Sequence, residues 1–192
     1  MTVPAKDLDV RDAARLAEKF SLRAVQVVGV KAQPVSGASE RGELGWKLRL
    51  VEVAWGYVDG DLRVVVPVTL AVLRGSEKNA KRAADIGVLL RLDYEAKGPI
   101  DDEKSIASFV GISGCMHAWP YIRAEIQLLS TKIGLPPLLL PPIVSGHVER
   151  IVATVTHVGE ESPKRVAARS VGVTRKAKAT KLKRKRKQAH VG

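Results

Sequence analysis

Two neighbouring stretches of the sequence place an apolar residue at every second position. Residues 62–72 do so with Leu and Val, and residues 86–94 do so with Ile, Val, Leu and Tyr. The positions between the apolar residues include the charged residues Arg63, Arg91 and Asp93. A period of two predicts β-strands with one buried face and one wetter face. A chain with this pattern has to cover a single side of a sheet, and helices are the expected cover.

Two further strands are expected before this pair. Residues 21–32 are rich in β-branched side chains, and residues 46–57 carry an apolar set that changes phase near Val51. The phase change predicts a β-bulge. The dipeptide Asp59-Gly60 then supplies the backbone angles of a tight type I′ turn, so the next strand should return antiparallel. We expect four antiparallel strands paired in sequence order.

Helices are expected at both ends of the sheet region. Residues 7–20 are rich in helix formers. After the sheet, Asp101 or Asp102 can cap a helix, Pro120 can begin a second helical piece, and Gly134 can end it. The fold class is therefore α+β, a four-stranded antiparallel sheet with helices packed on one face.

We expect one domain over residues 1–162, followed by a tail. Its parts are an N-terminal helix at 7–20, a sheet at 21–97, a long kinked helix at 101–133, a Pro-rich loop with a C-terminal element at 134–162, and the tail at 163–192. Within the C-terminal element, residues 148–158 fit either a strand or a short helix.

The tail carries all of the net charge. Residues 163–192 contain twelve Lys and Arg and no acid, while the whole chain has a net charge of +12. This segment is too basic and too poor in large apolar groups to pack alone, so we expect it to be disordered. Binding to nucleic acid or to ribosomes through the tail is an alternative function. The candidate polyanion-binding residues are Lys181, Lys183, Arg184, Lys185, Arg186 and Lys187.

No residue pattern indicates catalysis or a cofactor. Cys115 and His117 are two positions apart, which puts them on different faces of a helix. His147 and His157 are ten positions apart without clustered carboxylates, so no metal-ligand spacing appears. No phosphate-binding glycine loop or nucleophile elbow is found. We expect a binding protein and no enzyme, metal or cofactor.

The chain also lacks export and membrane signals. The residues after Met1 include acids and no apolar run of the kind a signal peptide needs. The apolar stretch at 135–143 is interrupted by prolines and is shorter than the ~20 residues that span a bilayer. A single cysteine suits a reducing compartment. We expect a cytoplasmic protein without membrane insertion.

Two motifs in the second half carry a family resemblance. Pro120, Tyr121 and Arg123 stand in an aromatic-Pro-Tyr-x-Arg step, and after about ten helical residues Pro136 and Pro137 stand in a Leu-Pro-Pro-Leu step. Together with a preceding helix that bears a phenylalanine and four strands before it, this order resembles the SecB family of export chaperones. The resemblance covers residues 8–143. It is closer still to the solitary SecB-like chaperones that protect the antitoxin of a toxin–antitoxin pair.

The resemblance implies a molecular chaperone without an active site. It implies a homotetramer built as a dimer of dimers through strand edges and the long helix, with unfolded client polypeptides held in apolar grooves. It also implies the translocation motor SecA or an antitoxin as partner. Exposed aromatic and leucine side chains could line such a groove, although each could equally belong to the core. The candidates are Trp46, Trp55, Tyr57, Trp119, Tyr121, Leu135, Leu138 and Leu140.

Overall fold

The structure is a computed structural model that describes residues 1–35, 43–58, 61–75, 79–98, 100, 102–143 and 152–158. Its class is α+β, as the sequence predicts. The elements in chain order are β1 (Thr2–Pro4), a 3-10 turn (Ala5–Asp7), α1 (Val10–Ala17), β2 (Phe20–Pro34), β3 (Leu44–Val58), β4 (Asp61–Arg74), β5 (Lys81–Ala96), α2 (Glu103–Phe109), a π-helical segment (Val110–Gly114), α3 (Cys115–Lys132) and β6 (Val152–His157).

The described strands form one sheet with the order β1-β6-β3-β4-β5-β2. The four long strands pair antiparallel, but β6 runs parallel to β3, so the described sheet is mixed and six-stranded instead of the predicted four-stranded antiparallel sheet. The predicted sequence order of these four strands is wrong, because β2 pairs with β5 and leaves β3 to β6. β1 was not predicted. At 148–158 the structure contains a strand, one of the two alternatives that the pattern allowed.

An aromatic cluster accounts for the position of β2. Phe20, the first residue of β2, stacks on Phe109 of α2 with ring centroids 4.7 Å apart and meets Tyr94 of β5 edge-on at 6.2 Å. Tyr94 and Phe109 are themselves 5.2 Å apart. Because β3 and β5 both present apolar faces, alternation alone does not tell which of them β2 will join. The cluster favours β5.

The inner face of the sheet is the one that the alternation predicts. The apolar sets of β4 and β5 are all buried, and α2, the π-helical segment and α3 pack over them. This confirms the predicted helical cover at about residues 102–132. The buried residues of the two strands on this face are Leu62, Val64, Val66, Val68, Leu70, Val72, Ile86, Val88, Leu90, Leu92 and Tyr94.

The predicted bulge in β3 is present. Leu50 lies opposite Val68 and Ala54 lies opposite Val65, so β3 uses one more residue than β4 over the same length. The extra residue restores Trp55 to the inner face, which is why the apolar phase changes in the sequence.

The hairpin that follows has the predicted direction. Val58 pairs with Asp61 in antiparallel register, which leaves two residues for the connection. The turn residues Asp59 and Gly60 lie outside the described residues.

The second half is one continuous helical rod from Glu103 to Lys132. Asp102 caps it, accepting a hydrogen bond from the Lys104 amide at 3.0 Å, as one of the two predicted caps. The prediction that a new helical piece begins at Pro120 is wrong, because Pro120 lies inside α3. Pro120 and Met116 are both exposed, so water can satisfy the Met116 carbonyl that proline leaves without a partner.

Gly134 ends the rod as predicted. Its φ is +77°, in the left-handed region. Its amide donates to the Thr131 carbonyl at 3.1 Å, and the Leu135 amide donates to the Ser130 carbonyl at 3.0 Å. These two bonds form a Schellman motif, which turns the chain sharply into the Pro-rich segment.

Replacing Gly134 with alanine should therefore lower the free energy of unfolding by about 1 kcal/mol, because a Cβ is strained at positive φ although the space around it is open. Chemical denaturation monitored by circular dichroism measures the change. The control is Gly45→Ala, which also has open space but no positive φ and should leave stability unchanged or slightly raised. Equal destabilisation by both substitutions would contradict the conclusion that Gly134 is required for its positive φ.

Candidate functional site

The two sequence motifs meet in the structure. The indole Nε1 of Trp119 donates a hydrogen bond to the Pro141 carbonyl at 2.9 Å. Two residues before the end of α3, the buried hydroxyl of Ser130 accepts the Leu138 amide at 3.1 Å and donates to the Gln127 carbonyl at 2.8 Å. Two hydrogen bonds from α3 thus fasten the Pro-rich segment, defined here as residues 135–143, alongside the helix.

The Pro-rich segment presents alternate side chains to the core. Leu138 and Leu140 are buried, whereas Pro136, Pro137 and Leu139 are exposed. Proline fixes φ near −65° and has no amide to satisfy, which suits a segment that runs extended without strand partners. The residues of the first motif, apart from its tryptophan, lie on the exposed side of α3. They are Pro120, Tyr121 and Arg123.

Removing the Ser130 hydroxyl should detach this segment. We expect Ser130→Ala to cost about 1–3 kcal/mol of unfolding free energy, because the buried Leu138 amide loses its acceptor. Thr131→Ala is the matched control, since its hydroxyl also bonds the carbonyl three residues back but is exposed. That change should stay within about 0.5 kcal/mol. Denaturant melts of the two variants give the comparison.

The structure divides the eight predicted client-binding side chains. Trp46 and Tyr121 are exposed, at 39% and 46%, and Tyr57 and Leu135 are partly buried. The other four are core residues in this protomer. The alternation in β3 turns one of them, Trp55, toward the inner face of the sheet. The core members are Trp55, Trp119, Leu138 and Leu140.

β6 helps to bury Trp55. The imidazole of His157 stacks on the indole with ring centroids 4.2 Å apart and an interplanar angle of 12°. His157 Nδ1 also lies 3.6 Å from a carboxylate oxygen of Glu103 in α2. Trp55 keeps only 1% of its surface exposed. The sheet edge at β3 is therefore closed by a short parallel strand and a stacked ring.

The opposite edge of the sheet, at β2, is uncovered in the described residues. Leu22, Val27 and Val30 lie on the inner face of β2, since their register partners are the inward residues of β5. They nevertheless remain exposed, at 39%, 44% and 52%. The register of this strand shifts twice, between Leu22 and Ala24 and between Val27 and Gly29. Apolar side chains thus lie beside the unpaired backbone of a 15-residue edge strand.

α3 adds apolar side chains on the same side. With 3.6 residues per turn, Tyr121 and Leu128 fall on the flank opposite Trp119. His117 shares their flank and is hydrogen bonded to the Tyr94 hydroxyl at 3.0 Å, and Tyr94 pairs across the ladder with Leu22. We call the set Leu22, Val27, Val30, Tyr121 and Leu128 the edge surface.

Sequence reasoning identified one member of the edge surface, Tyr121. The available signal for the others was the valine-rich pattern of β2, which was read as an ordinary strand in the sheet. The apolar side chains of β2 are exposed because β2 is an edge strand, which has one neighbouring strand and less helical cover. The motif alone did not indicate Leu128.

The outer face of the sheet is polar. Asp93 lies between Arg63 at 2.9 Å and Arg91 at 3.1 Å, and Arg23 of β2 pairs with Glu95 of β5 at 2.7 Å. Ion pairs across three strands fix the register on that side, although exposed pairs contribute little to stability. The exposed apolar side chains of the edge surface therefore lie on the inner face of the sheet and on the adjoining helix, and the outer face carries ion pairs.

Cys115 and His117 lie in different environments. Cys115 is buried, and desolvation raises the pKa of its thiol to about 12. His117 is bonded to Tyr94, and desolvation lowers its pKa. Within the part of the chain that the structure describes, no group of three or more metal-ligating residues occurs.

The thiol should consequently resist alkylation in the folded protein. At about pH 8 a group with this raised pKa is almost entirely protonated, and the protonated thiol is a poor nucleophile. Iodoacetamide should label Cys115 only after denaturation, as mass spectrometry of native and urea-treated protein can show. Rapid labelling of the native protein would contradict the burial and the raised pKa of Cys115.

The candidate polyanion-binding residues of the tail, 181–187, lie outside the described residues. Among the helices that are described, none is both long and apolar enough to cross a membrane.

Comparison with solved structures identifies the fold. A SecB-like chaperone of Mycobacterium tuberculosis, solved in complex with a ChAD peptide from the HigA1 antitoxin, superposes with a TM-score of 0.61 at 20% identity. The match covers 70% of this chain and 97% of that one. The fold is SecB-like. A protein of unknown function from Streptococcus agalactiae matches with a TM-score of 0.35 at 8% identity, covering 64% of this chain and 96% of that one. No family model and no curated protein matches the sequence.

Proposed function

We propose that this protein is a molecular chaperone that holds unfolded or non-native polypeptides and acts by binding, without catalysis, metal or cofactor. The edge surface carries the proposal. It joins apolar side chains to the unpaired backbone of β2, and such a surface suits another polypeptide because backbone bonds give affinity that tolerates varied sequence. The SecB-like fold supports the same reading.

An antitoxin segment is the client we favour. The mycobacterial neighbour is a chaperone in complex with an antitoxin peptide, and the motifs of this chain resemble the toxin–antitoxin-associated group. Service to protein export, with SecA as partner, is the other role implied by the resemblance. Both roles are cytoplasmic.

Client holding is tested by aggregation of a reduced, unfolded polypeptide in the presence of the full chain. We expect suppression that changes little between about 0.05 M and 0.5 M salt, because burial of apolar surface does not depend on counterion release. Light scattering at 360 nm wavelength or a similar turbidity reading follows the aggregation, with about equimolar bovine albumin as control. Absence of suppression at both salt concentrations would overturn the proposed function.

We further propose a homotetramer built as a dimer of dimers, in which copies pair through their β2 edges when no client occupies the edge surface, and the pairs join through the long helix. Two β2 edges can pair about a twofold axis, since each offers the same apolar and backbone groups. Closed symmetric pairing would also protect an exposed apolar edge from open-ended association.

Charged substitutions on the edge surface should break this assembly. Multi-angle light scattering should give a mass several times the 20.8 kDa protomer for the natural chain. The double variant Val27→Lys, Val30→Lys should fall to about half the mass of the natural assembly, because pairing of the β2 edges would bury unpaired charges. Leu139→Lys is the control, since Leu139 is exposed but outside the edge surface. A natural chain that is already monomeric at micromolar concentration would contradict the proposal.

Binding of nucleic acid or ribosomes through the tail is the second candidate function. The twelve cations within residues 163–192 favour it. If it holds, a chain lacking residues 163–192 should lose binding to RNA yet still suppress aggregation. Loss of both activities would mean that the tail contributes to client binding.

A further inference from the structure

β6 lies between β1 and β3, so it occupies the position beside β3 that a bound strand would need. It pairs parallel to β3 from Val152, opposite Leu50, to His157, opposite Trp55. Every other pairing in the described sheet is antiparallel. Parallel ladders are slightly less stable per residue than antiparallel ones. β6 is also short, with six residues against fourteen to sixteen in the four long strands.

The side chain of Val155 in β6 packs into a space, the Gly111 slot, that exists because residue 111 is a glycine and has no side chain. A Cβ at Gly111 would lie 2.9 Å from Val155 Cγ2 and 2.5 Å from Leu8 Cδ1. The π-helical segment thus approaches the sheet so closely that only glycine leaves room for Val155. The slot takes one small branched apolar side chain.

His157, two residues further along β6, covers the indole of Trp55. Residues two apart in a strand point to the same face. Without β6, the backbone edge of β3 would border a trough with Leu8, Gly111 and Trp55 at its floor. Trp55 is one of the aromatic residues that the sequence nominates for client binding, and β6 is among the elements that bury it.

We infer that the β3 edge is an acceptor site for an extended peptide, and that β6 is the chain's own segment filling it until a client replaces it. The preferred peptide runs parallel to β3, with a small branched apolar residue at one position and a planar ring two residues later. This inference rests on the proposed function and adds a second client site, separate from the edge surface, with its own sequence preference.

The chain has enough length for such an exchange. Eight residues separate Ile143, the end of the Pro-rich segment, from Val152. Fully extended, they reach about 28 Å. β6 can therefore leave β3, once its three paired residues separate from β1, while the hydrogen bonds of Trp119 and Ser130 to the Pro-rich segment stay in place.

A reversible tether tests the exchange. Glu52 and Thr154 are opposite each other on β3 and β6, so Glu52→Cys with Thr154→Cys can form a disulfide between the strands. The matched control is Arg49→Cys with Thr69→Cys, which joins β3 to β4 and leaves β6 free. Cys115 does not interfere, because it is buried.

The probe is a fluorescein-labelled peptide with the sequence of residues 151–158, and a scrambled peptide is its control. The oxidised β3–β6 tether should lose probe binding by about tenfold or more, because the competent state is no longer populated. Reduction should restore it. Val155→Asp, which places a carboxylate in the slot and releases β6, should bind the probe about tenfold more tightly than Ala153→Asp, an exposed position of the same strand.

Probe binding that is equal in the oxidised tether and the control tether overturns the inference. So does full aggregation suppression by the oxidised tether, which would leave the proposed chaperone function intact. The tether experiment decides the question even if Val155→Asp fails to fold. Lack of aggregation suppression by the natural chain would instead overturn the proposed function, and the peptide result would then stand by itself.

Discussion

The contact between one helical rod and a wider sheet governs the rest of this structure. A helix with its side chains is about 10 Å across, and strands are about 4.8 Å apart, so one rod covers about two strands. The rod from Glu103 to Lys132 covers the inner face of β4 and β5, whose apolar residues are buried. β3 and β2 flank them and need other cover. On the β3 side this comes from the π-helical segment and β6. On the β2 side the described residues leave apolar groups exposed.

This geometry gives the two recognisable motifs a physical role. The rod must be held against the sheet along its length, and the Pro-rich segment does so by returning beside α3. Trp119 and Ser130 supply the hydrogen bonds, and Leu138 and Leu140 add buried side chains. The prolines restrict the backbone of the returning segment, and because proline has no backbone N–H, these positions need no hydrogen-bond acceptor. The spacing between the motifs therefore reflects the length of helix that has to be spanned before the chain turns at Gly134.

Local chemistry made much of the fold predictable. The alternation in β4 and β5, the bulge after Leu50, the cap at Asp102 and the end at Gly134 each depend on nearby residues, and the structure contains them all. Pairing of β2 and insertion of β6 depend on distant partners, so the sequence pattern could not decide them. Pro120 was misplaced because a proline that suits a helix start is also tolerated inside a helix whose freed carbonyl is exposed to water.

The burial of Trp55, one of the predicted client-binding residues, bears on the selectivity of binding. Aromatic residues on the inner face were nominated as groove residues, yet Trp55 is buried partly by the chain's own β6. A segment tethered in cis competes at an effective concentration on the order of millimolar. A free peptide must therefore fit the Gly111 slot and cover the indole at least as well as Val155 and His157 do, or gain further contacts elsewhere. Arbitrary unfolded chains that offer only backbone bonds would be rejected at this edge, while a client segment with the matching pair of side chains would be admitted.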